Sequence, residues 1–100
     1  MAPLNRLKHL NTKECLWVYV LKILSERPTH PYVIRKEIQE RFGFKPGTMT
    51  AYKVLYLLGR KNLVKKTKKG RKNVYKITES GKNALKKAIM FYKSRIELLK

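Results

Sequence analysis

The chain has 100 residues, 43% of them hydrophobic, which bounds it to one domain with one modest core and excludes a disordered segment. Lys and Arg number 25 against six Glu and no Asp, a formal net charge of +19, so the folded chain must tolerate self-repulsion that an anionic partner would relieve. Nucleic acid is the first such partner and an anionic membrane surface the second, but the longest apolar run, from Leu16 to Leu21, is far short of the roughly 20 residues of a membrane span.

In chain order, residues 1–11 read as a short arm, residues 12–78 as the core of the domain and residues 79–100 as a final helix. Leu4, Leu7 and Leu10 are interleaved with Arg6 and Lys8, so no secretory signal is expected. Asn11 and Glu14 have capping-box spacing, which predicts a helix from Asn11 or Thr12 through Glu26, with Leu16, Trp17, Val20, Ile23 and Leu24 inward. Pro28 and Pro31 break it. Pro31 suits the first position of a second helix, capped near Thr29 or His30, with Ile34, Ile38 and Phe42 on its apolar face and Gly43 as its stop. Phe44-Lys45-Pro46-Gly47 is a turn. A third helix follows over about 48–61, with Thr48 as its cap, Ala51, Val54, Leu55 and Leu58 inward, and Asn62 ending it in a left-handed conformation. Leu63–Thr67 and Asn73–Ile77 read as two strands, turning at Gly70, and Thr78 caps the last helix. Helix, helix, helix, hairpin, helix is mainly α with a small β-hairpin. A lone hairpin must pack beside the helices to bury its inner face, and that arrangement is a winged helix-turn-helix with a C-terminal dimerisation helix.

Thr50-Ala51-Tyr52-Lys53-Val54-Leu55, then Leu58, then Lys61-Asn62-Leu63-Val64 resemble the recognition helix and strand entry of winged-helix regulators, which usually carry Gly where Asn62 stands. Val74-Tyr75-Lys76-Ile77-Thr78-Glu79-Ser80-Gly81 resembles the second wing strand and the Thr-x-x-Gly start of the helix after it. Pro31-Tyr32-Val33-Ile34 resembles the second-helix opening of the PadR-like branch, in which a Pro-Gly-Thr triplet like Pro46-Gly47-Thr48 opens the recognition helix. The resemblance implies a homodimeric DNA-binding transcription regulator.

The residues point to DNA independently. With Ala51, Leu55 and Leu58 inward, Met49, Lys53, Tyr56 and Arg60 face outward, flanked by Thr50, Tyr52 and Leu57. Thr48, Thr50, Tyr52, Lys53, Tyr56 and Arg60 supply donors for base edges and phosphates in a major groove. The wing cations Lys65, Lys66, Lys68, Lys69, Arg71 and Lys72 carry charge without base-reading geometry, so they track phosphates and set affinity. Leu85, Ile89, Tyr92, Ile96 and Leu99 repeat at heptad spacing, which reads as a dimer seam. The expected partners are double-stranded DNA and a second copy of the chain, with no membrane; a small-molecule effector is left open. A cytoplasmic, nucleoid-associated setting is expected. The runner-up is an architectural chromatin protein of the same fold, similar to the small crenarchaeal winged-helix proteins that dimerise through a coiled coil; the excess of Lys over Arg leans that way. No enzyme, metal or cofactor is expected: there is no Asp, the Glu are scattered, His9 and His30 are far apart in sequence, and Cys15 is single.

Overall fold

A computed structural model describes residues 2–100; Met1, the first residue of the expected arm, lies outside them. Its elements are α1 (Pro3–Leu10), α2 (Leu16–Glu26), α3 (Pro31–Phe42), α4 (Thr48–Arg60), β1 (Val64–Lys69), β2 (Lys72–Ile77) and α5 (Glu79–Leu99). Helix α2 is the hub, touching α3, α4, α5 and β2. It buries Leu16, Val20, Leu21, Ile23 and Leu24 and half-buries Trp17, Val18 and Tyr19, the near-continuous apolar girth of an interior helix.

The expected arm is helical from Pro3 to Leu10, and the expected capping box does not form. Asn11 Nδ2 donates to the Leu7 carbonyl at 2.8 Å and Thr12 Oγ1 to the Lys8 carbonyl at 2.7 Å. Both side chains therefore satisfy carbonyls left over by the end of α1, and residues 11–15 form a turn before α2. Tyr19 fastens that turn by donating to the Asn11 carbonyl at 2.6 Å. Burial holds α2 in place without a side-chain cap.

Helix α3 begins at Pro31 with His30 as N-cap and stops at Gly43, whose φ of 78° is left-handed. A chain of ion pairs joins its far side to α2: Arg41 grips Glu26 through two nitrogens at 2.5 and 2.9 Å, and Arg27 reaches Glu37 at 3.2 Å. The Arg41 hydrogen bond holds the Glu26 carboxyl down at about 2. Arg35 Nε donates to the Pro46 carbonyl at 3.0 Å and fixes the turn into α4. That external support places Gly47, not Thr48, at the N-cap, with no side-chain cap.

Asn62 ends α4 at φ 62°, as its sequence position predicts. The amides of Asn62 and Leu63 return to the carbonyls of Gly59 (3.1 Å) and Leu58 (2.9 Å), a Schellman closure. The strands pair antiparallel from Val64↔Ile77 to Lys69↔Lys72, so the ladder runs further toward the tip than expected, around Gly70 at φ 62°. The Arg27–His30 linker is not merely a breaker. Thr29 exchanges backbone hydrogen bonds with Tyr75 at 3.1 and 2.9 Å, which ties the hairpin's inner strand to the body.

Thr78 joins the wing to α5. Its hydroxyl accepts from the Gly81 amide at 3.0 Å and donates to the Asn62 carbonyl at 2.6 Å. Gly81 presses on the Leu63 backbone: a Cβ there would stand 2.6 Å from Ile77 Cγ1 and closer still to the Leu63 carbonyl oxygen. The Thr-x-x-Gly pattern is thus a cap plus a close backbone approach. Gly81→Ala is expected to destabilise the fold by about 2–3 kcal/mol, because the opposing backbone cannot yield. Thermal melting should show Tm lower by roughly 10 °C or more.

Candidate nucleic-acid interface

Burial of Ala51, Leu55 and Leu58 fixes the rotation of α4. Thr48, Thr50, Tyr52, Lys53, Tyr56 and Arg60 are all exposed, as are Lys65, Lys66, Lys68, Lys69, Arg71 and Lys72 of the hairpin. Two hollows join the outer face of α4 to the wing. Tyr56, Arg60 and Lys66 line one of about 240 Å³ above Tyr75, and the Arg60 guanidinium lies 6.0 Å from the Tyr56 ring centre. Tyr52 meets Arg71 and Lys72 across the other, of about 290 Å³. Lys53, Lys65, Lys68 and Lys69 are exposed outside both hollows, and Thr50 faces a third hollow with Lys13, Glu14 and Lys45. Leu57 lies instead over an apolar hollow with Trp17, Val54 and Ala84.

The hairpin is electrostatically unbalanced. Lys65 stands directly opposite Lys76, and Lys69 opposite Lys72. Like charges in facing positions destabilise a strand pair. The sequence has no carboxylate between Glu40 and Glu79 to offset them.

Three residues of this region have no functional signal in the sequence read alone. His30, Tyr32 and Asn73 line the same hollow as Tyr52, Arg71 and Lys72, and His30 Nδ1 lies 3.0 Å from the Asn73 carbonyl oxygen. His30 and Tyr32 are distant along the chain from Tyr52 and the wing residues, and only the docking of the wing on α3 brings them together.

The residues of the expected seam divide. Leu85 belongs to the domain's own core. Tyr92 is half-buried, and burial first, with Cys15 beside it, pushes its phenol up to about 12. Ile89, Ile96 and Leu99 are exposed, and so are Met90, Phe91 and Leu98 around them. Among the described residues no helix is long and apolar enough to cross a membrane.

The profile of the PadR-like family of transcriptional regulators matches residues 20–87. No curated protein matches the chain. RosR of H. salinarum is 26% identical with a TM-score of 0.70, over 79% of this chain and 73% of that one. A transcriptional regulator of Thermoplasma acidophilum is 28% identical with a TM-score of 0.67, covering 87% and 90% of the two chains. A PadR family regulator of Clostridium difficile shares the fold at 22% identity and a TM-score of 0.76, over 83% and 92%.

Proposed function

The chain belongs to the PadR-like family of transcriptional regulators, and from that premise we propose that it is a homodimer that binds double-stranded DNA with α4 in the major groove and the wing on phosphates. The observation that carries this reading is the exposed α4 face, Thr50, Tyr52, Lys53, Tyr56 and Arg60, of which Tyr52, Tyr56 and Arg60 line two hollows shared with the wing cations Lys66, Arg71 and Lys72. Thr48 and Thr50 lie at the N-terminal end of α4, the part of a recognition helix that sits deepest over the bases. The free amides of that turn also favour phosphate.

Dimerisation rests on the distal half of α5. At 21 residues this helix is about 32 Å long. Its buried residues are Gly81 and Leu85, near the start. Beyond them Ile89, Ile96 and Leu99 are exposed along one side of the helix, with Phe91 exposed further round it. A second copy of the helix would cover that side. Leu4, Leu7 and Leu10 of α1 are exposed as well.

Binding titrations against one specific and one random duplex test the groove assignment. Thr50→Ala and Lys53→Ala should relax discrimination at particular base pairs by about 1–3 kcal/mol wherever the wild-type side chain hydrogen-bonds a base edge. A uniform fall in affinity instead would mark an architectural mode of binding. Footprints confined to phosphates beside the wing, with no weakening in the Thr50/Lys53/Tyr56 triple alanine variant, would remove α4 from the groove.

Replacing Lys68, Lys69, Arg71 and Lys72 by Gln should weaken binding to every duplex. It should also flatten the dependence of log K on log salt by about 0.9 for each phosphate that the variant no longer neutralises. An unchanged slope would mean that these charges are only solvated.

Ile89→Glu with Ile96→Glu should give monomers in sedimentation equilibrium, because two buried carboxylates would face each other across the seam. A wild-type protein that is monomeric at micromolar concentration would contradict the dimer.

A further inference from the structure

One hollow of the interface holds a group that the groove and wing reading does not use. It lies between the start of α3, the outer face of α4 and the beginning of β2, encloses about 290 Å³, and is lined by His30, Tyr32, Tyr52, Arg71, Lys72 and Asn73. His30 Nδ1 is 3.0 Å from the Asn73 carbonyl oxygen. A carbonyl can only accept, so Nδ1 carries the hydrogen and Nε2 is the free nitrogen. On the neutral ring Nε2 offers a lone pair, which repels an anion. On the imidazolium it offers an N–H, which binds one.

The titratable and charged groups that share the hollow with the ring are Tyr32 from α3, Tyr52 from α4, and Arg71 and Lys72 from the turn and β2. No carboxylate lines the hollow. Any anion that stabilises the imidazolium must therefore come from a ligand. Two fixed cations, two phenol donors and one conditional donor suit a group with several acceptor oxygens and a negative charge, which is a phosphate. Tyr52 is on the same exposed face as Lys53 and Tyr56, and Arg71 and Lys72 belong to the wing, so a duplex against both passes over this hollow.

We propose that this hollow seats one backbone phosphate of the bound duplex, with His30 Nε2 as a donor present only when the ring is protonated, so that DNA binding takes up a proton. The proposal rests on the DNA-binding function proposed for the chain and adds a site and a pH dependence to it. The sign follows from linkage. The bound state holds more protons than the free state, so affinity rises as pH falls through the range in which imidazoles titrate.

The test is the affinity of the full chain for a random-sequence duplex between pH 5.5 and 8.5 at constant ionic strength. The wild type should bind about tenfold more tightly at the acid end for each protomer engaged, the gain expected of one charge-assisted hydrogen bond. His30→Gln, whose amide can still donate to the Asn73 carbonyl, should bind with a flat profile at the weaker level. His9→Gln removes the other histidine and should keep the wild-type profile. A measurement on the unaltered chain guards against a misfolded variant: the midpoint of the His30 ring-proton titration in NMR should move to higher pH when duplex is added. Duplex binding that is independent of pH, or a pH dependence that survives His30→Gln, would overturn the site while leaving the DNA reading intact. Absence of duplex binding at every pH would overturn both. Inorganic phosphate that shifts the His30 resonance where duplex does not would reassign the hollow to a free anion and refute the seating of a backbone phosphate.

Discussion

Helix α2 sits where α3, α4, α5 and β2 all meet, and its burial of Leu16, Val20, Leu21, Ile23 and Leu24 fixes where each of them can lie. Burial of such side chains is worth roughly 1.5–3 kcal/mol apiece, the largest favourable contribution available to a chain of this size. Because α2 is apolar almost all round, α4 has to present Ala51, Leu55 and Leu58 to the core, and its opposite face, with Lys53 and Tyr56, has to face solvent. The outward rotation of that face is thus a consequence of core packing.

The same core must hold together a chain of net charge +19. Most of the carboxylates are engaged within the fold. Glu26 and Glu37 clamp α2 to α3 through Arg41 and Arg27, and Glu79 and Glu97 pair with lysines at the two ends of α5. The stretch from Arg41 to Thr78, which contains α4 and the wing, has no carboxylate at all. Repulsion is therefore concentrated on one part of the molecule. That part is held in shape by backbone pairing of Thr29 with Tyr75 and by the Thr78–Asn62 hydrogen bond, not by charge compensation. A polyanion docking there meets a field already assembled.

Helix α5 serves two purposes along its length. Its first turns belong to the domain: Gly81 lies against the Leu63 backbone, and Leu85 completes the core. Its later turns carry Ile89, Phe91, Ile96 and Leu99 exposed. A heptad pattern in the sequence spans both regions without marking the change, since apolar spacing is the same whether a helix packs on its own domain or on another chain.

Fold class and most element boundaries are legible in the order of the amino acids, because they are coded within a few residues. Pro31 can only open a helix, Gly43 and Asn62 can take the left-handed turn that closes one, Gly70 can turn a hairpin, and Thr78 with Gly81 can cap and seat α5. The exposed cations and the α4 face are legible too, since the 3.6-residue period rotates them away from Ala51 and Leu55. Asn11 is misleading, because an amide side chain can end one helix as readily as begin the next, and its spacing to Glu14 does not say which. Other features emerge only when the elements pack: Leu21 is fully buried, Thr29 pairs with Tyr75, Leu85 and Ile89 part company, and His30 meets Asn73 43 positions away. Contacts at that separation depend on how the wing docks against α2 and α3. That is set by the shape of the whole core, and no local spacing records it.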